Sequence, residues 1–272
     1  MEKLLCPTDF SQTADNAIEY AAYIAQKLDA TLTLLHVENE EESRSEGVGD
    51  DLVFTIENRQ MLTDTMKQTC QEVEKNFGIK TDYDVLSGKL ENAVVDKAGT
   101  KLYDLIIMGT KPDLFYQYFV GTNTYHVLQR VETPVLVVPA NCSYRAINTI
   151  IYASNYEEND YLSLKQLKQF AEMYDAEIRV LHVSPKQSEV SREVFDSFKD
   201  RVLTEFNHDR KFKFSRIFAE DEATAIHQYV LDQDADMLGL FMQRRNFLQR
   251  LFHESVTKKL SAIAEYPILV FH

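Results

Sequence analysis

Tryptophan is absent from the chain, cysteine occurs three times and glycine eight times. The cysteines, Cys6, Cys70 and Cys142, are odd in number and form no C-x-x-C pair, so neither a disulfide framework nor a zinc site is expected. We expect free, buried thiols instead. Glycine is scarcest after residue 121, where Gly239 is the only one. This scarcity excludes a glycine-rich phosphate loop from the second half of the chain.

Positive charge and long hydrophobic runs are also lacking. The chain has 29 Lys and Arg against 43 Asp and Glu, a formal net charge of -14, and such a surface repels a nucleic-acid backbone. No segment approaches the roughly 18 apolar residues of a membrane span, and Pro7 and Asp9 come too early for a signal peptide. We therefore expect a cytoplasmic protein that binds neither nucleic acid nor a membrane.

An internal repeat organises the chain. Residues 3–7 resemble residues 149–153, and Leu35-His36-Val37 returns as Leu181-His182-Val183, both at a shift of 146 residues. Two later apolar runs also recur, at a shift of 132 or 133 residues, so the second copy is shorter in its middle. Self-similarity over half the chain indicates a duplicated domain. We predict one domain over 1–140, a short linker, and a diverged copy over 146–272.

Short apolar runs alternate with segments of helical period in each copy. Ser11 is the expected N-cap of a helix whose apolar face includes Ala14, Ala17, Ile18 and Ala21. Strands that alternate with helices predict right-handed crossovers and a parallel sheet covered on both faces. The predicted fold class is α/β, with two tandem parallel-sheet α/β sandwiches of about five strands each. We also expect the last strands, 135–138 and 268–271, to pair as an intramolecular pseudo-dimer, because bare apolar edges invite aggregation.

Open parallel sheets bind ligands beyond the carboxyl ends of their strands. That rule selects Asp9 after the first strand, Val37 after the second, and the loop from Gly109 to Thr122. A helix that begins near Gly121 would direct backbone N–H groups and the Thr122 hydroxyl at an anion. A purely structural interpretation is also open, in which Asp9 and Thr122 cap helices and Gly109 permits a tight turn.

These motifs together resemble the universal stress protein family. The matching segments occur in the family's order in the first copy and, more diverged, in the second; in the first they are Leu4-Leu5-Cys6-Pro7-Thr8-Asp9-Phe10, Leu35-His36-Val37, Asp104-Leu105-Ile106-Ile107-Met108-Gly109-Thr110, Gly121-Thr122-Asn123-Thr124 and Thr133-Pro134-Val135-Leu136-Val137-Val138. The resemblance implies the adenine nucleotide alpha hydrolase-like fold of that family. In its ATP-binding members the aspartate after strand one and the residue after L-H contact the adenosine, and a G-x2-G-x9-G-[ST] loop surrounds the phosphates.

Carried over to this chain, the resemblance implies Asp9, Val37, Gly109, Gly121 and Thr122 as nucleotide-binding residues. Two features depart from the motif. Pro112 replaces the second glycine and cannot offer a backbone N–H or close approach, and the span from Gly109 to Gly121 is one residue short and rich in aromatics. The second copy departs further, with Asn155 for Asp9 and His253-Glu254-Ser255 for the G-[ST] step.

The chain has no Walker A motif, no G-x-G-x-x-G and no G-x-S-x-G elbow. We predict a stress-response protein that acts as a non-catalytic binding or scaffold module for protein partners, with a degenerate adenine-nucleotide site in the first domain only. The alternative is a genuine ATP-binding stress protein whose activity the nucleotide regulates. Catalytic residues and a metal site are not expected, although weak ATP hydrolysis and a further homodimer stay open.

Overall fold

The computed structural model describes residues 1–38, 52–110, 123–184, 192–242 and 266–272, with residues 52–56 described by their backbone alone. These residues divide into two compact units, of which the first ends at Tyr144 and the second begins at Arg145. Within the described ranges, no helix is both long enough and apolar enough to cross a lipid bilayer.

The first unit is a parallel sheet of five strands in the order β3-β2-β1-β4-β5. In chain order, β2 and β3 lie on one side of β1, and β4 and β5 then lie on the other side. The strands are β1 (Lys3–Thr8), β2 (Thr31–Glu38), β3 (Thr81–Ser87), β4 (Leu105–Thr110) and β5 (Val135–Pro139). The described helices are α1 (Gln12–Leu28), α2 (Leu52–Phe77), α3 (Leu90–Gly99) and α4 (Asn123–Leu128).

The second unit repeats this plan, with five parallel strands in the order β10-β9-β6-β7-β8. The strands are β6 (Thr149–Ala153), β7 (Glu177–Ser184), β8 (Phe212–Phe218), β9 (Met237–Phe241) and β10 (Ile268–Phe271). The described helices are α5 (Glu158–Tyr174), α6 (Arg192–Glu205) and α7 (Glu222–Asp232). The predicted α/β fold class, with five parallel strands in each copy, is confirmed.

Helix α1 shows how local sequence sets an element that borders the predicted site. Ser11 is its N-cap, as predicted, and the Ser11 hydroxyl accepts a hydrogen bond from the Ala14 N–H at 3.3 Å. The helix ends at Asp29, which is left-handed with φ 51° and donates its N–H to the Ala25 carbonyl. Its fully buried alanines, Ala17, Ala21 and Ala25 among them, let the helix backbone lie close to the sheet.

An aspartate holds the amino end of the sheet in each unit. Asp104 accepts hydrogen bonds from the backbone N–H groups of Glu2 and Lys3, at 2.6 and 3.1 Å. Asp236 accepts from Asn148 and Thr149 in the same way, at 2.7 and 2.9 Å. Each carboxylate thus satisfies the donors at the start of a central strand, and the duplication extends to this detail.

Candidate functional site

The carboxyl ends of β1, β2 and β4 meet where the strand order of the first unit reverses. In an open parallel sheet the loops that follow these strands diverge at this point and leave room for a ligand. Asp9 follows β1 directly, while Val37 and Gly109 lie within the last two residues of β2 and β4. The structure therefore brings three of the predicted site residues to one edge. Gly121 and Thr122, like Pro112, lie outside the described residues.

Asp9 belongs to a tight turn between β1 and α1. Its side chain is exposed, and Oδ1 accepts a hydrogen bond from the Ser11 N–H at 3.0 Å. The Thr8 hydroxyl accepts from the Phe10 N–H at 3.0 Å, and Phe10 is left-handed with φ 59°. A second carboxylate is close, because burial and then the charge of Asp9 raise the pKa of Asp15. A ligand at Asp9 would meet negative charge, which suits hydroxyl groups better than phosphate.

The residue before Val37 ties β2 to this turn. The His36 ring donates from Nδ1 to the Thr8 carbonyl at 2.9 Å, and its centroid lies 4.5 Å from that of Phe10. A carbonyl can only accept, so Nδ1 carries the proton. Val37 is half-buried in β2, in register with Leu86 of β3. His36 and Leu86, which flank Val37, thus form a packed surface on one side of the edge.

Gly109 has a structural reason to be glycine. A Cβ atom at this position would lie 2.7 Å from the Thr13 carbonyl oxygen and 3.1 Å from Thr13 Cγ2. Any side chain would therefore displace α1 from β4. The sequence interpretation treated Gly109 as part of a phosphate loop or a tight turn, whereas its position at the end of a strand serves close packing between helix and sheet.

The second unit repeats the turn with different side chains. At a shift of 146 residues, Tyr156 is left-handed with φ 64°, donates its N–H to the Ser154 hydroxyl and stacks on His182 at 4.4 Å. The His182 Nδ1 donates to the Ser154 carbonyl at 2.7 Å. Tyr156 also contacts two aromatic rings of α6, Phe195 and Phe198, at centroid distances of 5.8 and 5.0 Å. The turn therefore keeps its geometry in the second unit, with an exposed Asn155 in the position of Asp9.

Sequence reasoning missed a buried carboxylate in the second unit. Asp160 is 4% exposed and accepts hydrogen bonds from the Tyr152 and Ser154 hydroxyls, at 2.9 and 3.1 Å, and from the Asn155 and Glu157 N–H groups. Burial, followed by the nearby Asp160 charge, raises the pKa of Tyr152. The capping-box spacing of Glu157 and Asp160 is a signal that could have revealed it.

Gly239 makes room for this network rather than for a ligand. A Cβ atom there would lie 3.1 Å from Cδ2 of the fully buried Tyr152 ring. The structural counterpart of Gly109 is Phe241, since Leu4 pairs with Leu105 as Ile150 pairs with Met237. A phenylalanine at that position cannot make the close helix approach that Gly109 permits.

A cavity of about 540 Å³ lies beyond the carboxyl end of β3, lined by Leu86, Gly88, Lys89, Asn92 and Lys97 among others. None of the predicted site residues lines it. Within the described part of the chain, His, Cys, Asp and Glu side chains form no group of three that could hold a metal ion. All three cysteines are buried and free, as predicted.

Comparison with known proteins agrees with the duplicated fold. The model of the universal stress protein family matches residues 1–139 and again residues 147–272. Universal stress protein MJ0577 of Methanocaldococcus jannaschii is 28% identical over 153 residues, which span 50% of this chain and 94% of that protein. Universal stress protein MJ0531 of the same organism is 28% identical over 145 residues, 50% of this chain and 81% of that protein.

A solved structure resembles nearly the whole chain. A universal stress protein from Archaeoglobus fulgidus DSM 4304 covers 99% of this chain, over 97% of its own length, with a TM-score of 0.74. At 17% sequence identity this likeness concerns the fold alone. Because the family model covers both copies, the chain belongs to the universal stress protein family and carries the family's domain twice.

Proposed function

We propose that this protein is a non-catalytic binding module of the stress response, which works through protein partners and keeps a degenerate adenine-nucleotide site in its first unit only. The difference between the two carboxyl edges carries this proposal. In the first unit Asp9 is exposed beside Phe10 and His36. In the second, the uncharged Asn155 stands in the position of Asp9, and Phe241 stands in the position of Gly109.

The chemistry of the first edge supports a weak nucleoside site. The exposed Asp9 carboxylate can accept hydrogen bonds from ribose hydroxyls, and the backbone beside Val37 lies at the neighbouring strand end. The phosphates would depend on the loop from Gly109 to Thr122. In that loop Pro112 removes a donor, and Gly109 is already committed to packing against Thr13. The expected affinity is therefore low.

Calorimetry of the full chain with ATP, ADP and AMP tests the proposal, together with mass spectrometry for nucleotide retained through purification. We expect at most one nucleotide per chain. Replacing Asp9 or Thr122 by alanine should weaken binding by about 1–3 kcal/mol, the cost of losing a hydrogen bond to a buried or charged group. Asn155→Ala is the matched control at the equivalent turn of the second unit and should leave affinity unchanged.

Three results would contradict different parts of the proposal. A stoichiometry near two nucleotides per chain would contradict the assignment to the first unit. Steady ATP turnover that Asp9→Ala abolishes would contradict the non-catalytic role. Absence of binding at millimolar nucleotide would instead remove the nucleotide and leave the scaffold function alone.

The second candidate is a genuine ATP-binding stress protein. The observation that favours it is the exposed Asp9 carboxylate at the sheet edge, whose Oδ1 accepts a hydrogen bond from the Ser11 N–H. Pro112→Gly separates the two candidates, because it restores the missing loop glycine. A degenerate site should gain affinity from this change, whereas a site that already binds ATP well should gain little or lose affinity.

A further inference from the structure

Three buried polar groups lie at the carboxyl edge of the second unit and have no hydrogen-bond partner among the residues that the structure describes. They are His182 Nε2, the Ser184 hydroxyl and the Tyr156 hydroxyl. His182 and Ser184 are 4% and 3% exposed. A buried polar group without a partner is destabilising, so three in one region need an explanation.

Their positions place them on one face of the sheet. His182 and Ser184 are two residues apart in β7 and therefore project to the same side. Their register partners in β8 are Arg216 and Phe218, which share that face. The Arg216 guanidinium lies 4.7 Å from the Phe218 ring centroid. Burial raises the pKa of Tyr156, while the charge of Arg216 lowers it and that of Asp160 raises it, so both charges lie near this residue.

The first unit lacks this set at the equivalent positions. Strand pairing aligns His36 with Val85 and Glu38 with Ser87, as it aligns His182 with Arg216 and Ser184 with Phe218. The histidine is common to both units. The second unit has Ser184 where the first has Glu38, and Arg216 where the first has Val85. Tyr156 stands in the position of Phe10. At these strand positions the second unit thus has one carboxylate fewer and one cation more, while the Asp160 carboxylate, in the position of Ala14, is held by its own hydrogen-bond donors.

The tautomer of His182 defines what a ligand must supply. Its Nδ1 donates to the Ser154 carbonyl at 2.7 Å, so the neutral ring presents a bare lone pair at Nε2. Tyr156 and Ser184 can donate or accept, and Arg216 can only donate. A matching ligand therefore carries negative oxygens and also one proton of its own to give to Nε2.

We propose that the second unit holds a site for a small protonated oxyanion, of which hydrogen phosphate is the simplest example, formed by Tyr156, His182, Ser184 and Arg216. In this site Arg216 and the two hydroxyls donate to the anionic oxygens, while the remaining acidic proton of the ligand is donated to His182 Nε2. The site is independent of the adenine-nucleotide site proposed for the first unit, and it needs neither glycines nor the turn at Asp9.

Titration of the full chain with inorganic phosphate at neutral pH, without nucleotide, tests this proposal by calorimetry. Arg216→Val places the residue of the first unit at this position and should weaken phosphate binding about tenfold or more, as expected for a lost charged hydrogen bond. Lys213→Val is the matched control, because Lys213 is an exposed cation on the same strand three residues away, on the opposite face. It should leave phosphate affinity unchanged.

Comparison of sulfate with phosphate provides a second test, because sulfate at neutral pH has no proton to donate to His182. We expect phosphate to bind at least about tenfold more tightly than sulfate. In a 15N spectrum of histidine rings, phosphate should shift one Nε2 resonance of a ring protonated at Nδ1, a measurement that needs no variant. The proposal would be overturned if phosphate did not bind, or if Arg216→Val bound phosphate as tightly as the original protein. Equal affinity for sulfate and phosphate, or histidine resonances that phosphate does not move, would also overturn it.

Discussion

Replacement of Gly109 by alanine should destabilise the first unit whether or not a nucleotide binds. The added Cβ would lie 2.7 Å from the Thr13 carbonyl oxygen, 3.1 Å from Thr13 Cγ2 and 3.2 Å from the Thr13 carbonyl carbon. Two of these atoms are backbone atoms of α1, so no side-chain rotation relieves the contact. The helix and β4 must separate by roughly half an ångström or more before the distances become ordinary.

That displacement affects a tightly packed part of the core. Helix α1 presents alanines to the sheet, and small side chains leave little freedom to absorb a shift. Overpacking of a well-packed core typically costs 1–3 kcal/mol, and we expect the free energy of unfolding of the first unit to fall by about 2 kcal/mol. Urea unfolding followed by circular dichroism measures this loss, with the transitions of the two units fitted separately.

Gly99→Ala is the matched control. Gly99 is the last residue of α3, and a Cβ there would meet no atom within 4 Å. Because alanine is the better helix former, this variant should be unchanged or gain up to about 1 kcal/mol. If Gly109→Ala unfolds like the original protein but loses nucleotide binding, the packing argument is wrong and the glycine serves the ligand.

Three further predictions concern the rest of the molecule. Tyr152→Phe removes one of the donors to the buried Asp160 carboxylate and should lower the stability of the second unit by about 1–3 kcal/mol in thermal unfolding; unchanged stability would mean that the remaining donors suffice. The hydrogen bond from Lys168 lowers the pKa of Asp209 in the folded protein. The stability that this pair contributes is therefore fully present above the pKa of Asp209 in the unfolded chain, and it should be lost as the pH falls through the lower pKa of the folded state. Acid unfolding of Lys168→Met should show a smaller loss over that range, and an identical pH profile would count against the assignment. Burial raises the pKa of the Cys6 thiol to about 12, so iodoacetamide should label Cys6 only after unfolding; rapid labelling of the native protein, located by mass spectrometry, would disprove this.

Much of the fold could be predicted because its signals are local. The alternation of apolar runs with helical periodicity predicted strands and helices, and Ser11 marked the start of α1. Repetition of Leu35-His36-Val37 at Leu181-His182-Val183 predicted the duplication, which aligned Asn155 with Asp9. These features depend on neighbouring residues and on the period of burial, which a linear sequence displays directly.

The candidate site could be located from the sequence but only partly explained by it. Asp9 and Gly109 could be placed at one edge because the carboxyl ends of parallel strands lie at the same edge of the sheet. The reason for Gly109 lies in Thr13, which is distant along the chain and close in space. The same is true of Gly239, whose partner is Tyr152. A glycine that lies against another element cannot be distinguished in sequence from a glycine that faces a ligand.

Hydrophobic period and motifs in fixed order are properties of the linear chain, so they sufficed to predict the α/β class, the two copies and the family. Which polar groups find hydrogen-bond partners could not be predicted in this way. Asp160 is surrounded by donors from β6 and from its own turn, while His182 and Ser184 are buried with polar atoms unpaired. Hydrogen-bond satisfaction is a property of pairs that meet across strands, so it becomes visible only when register and burial are known.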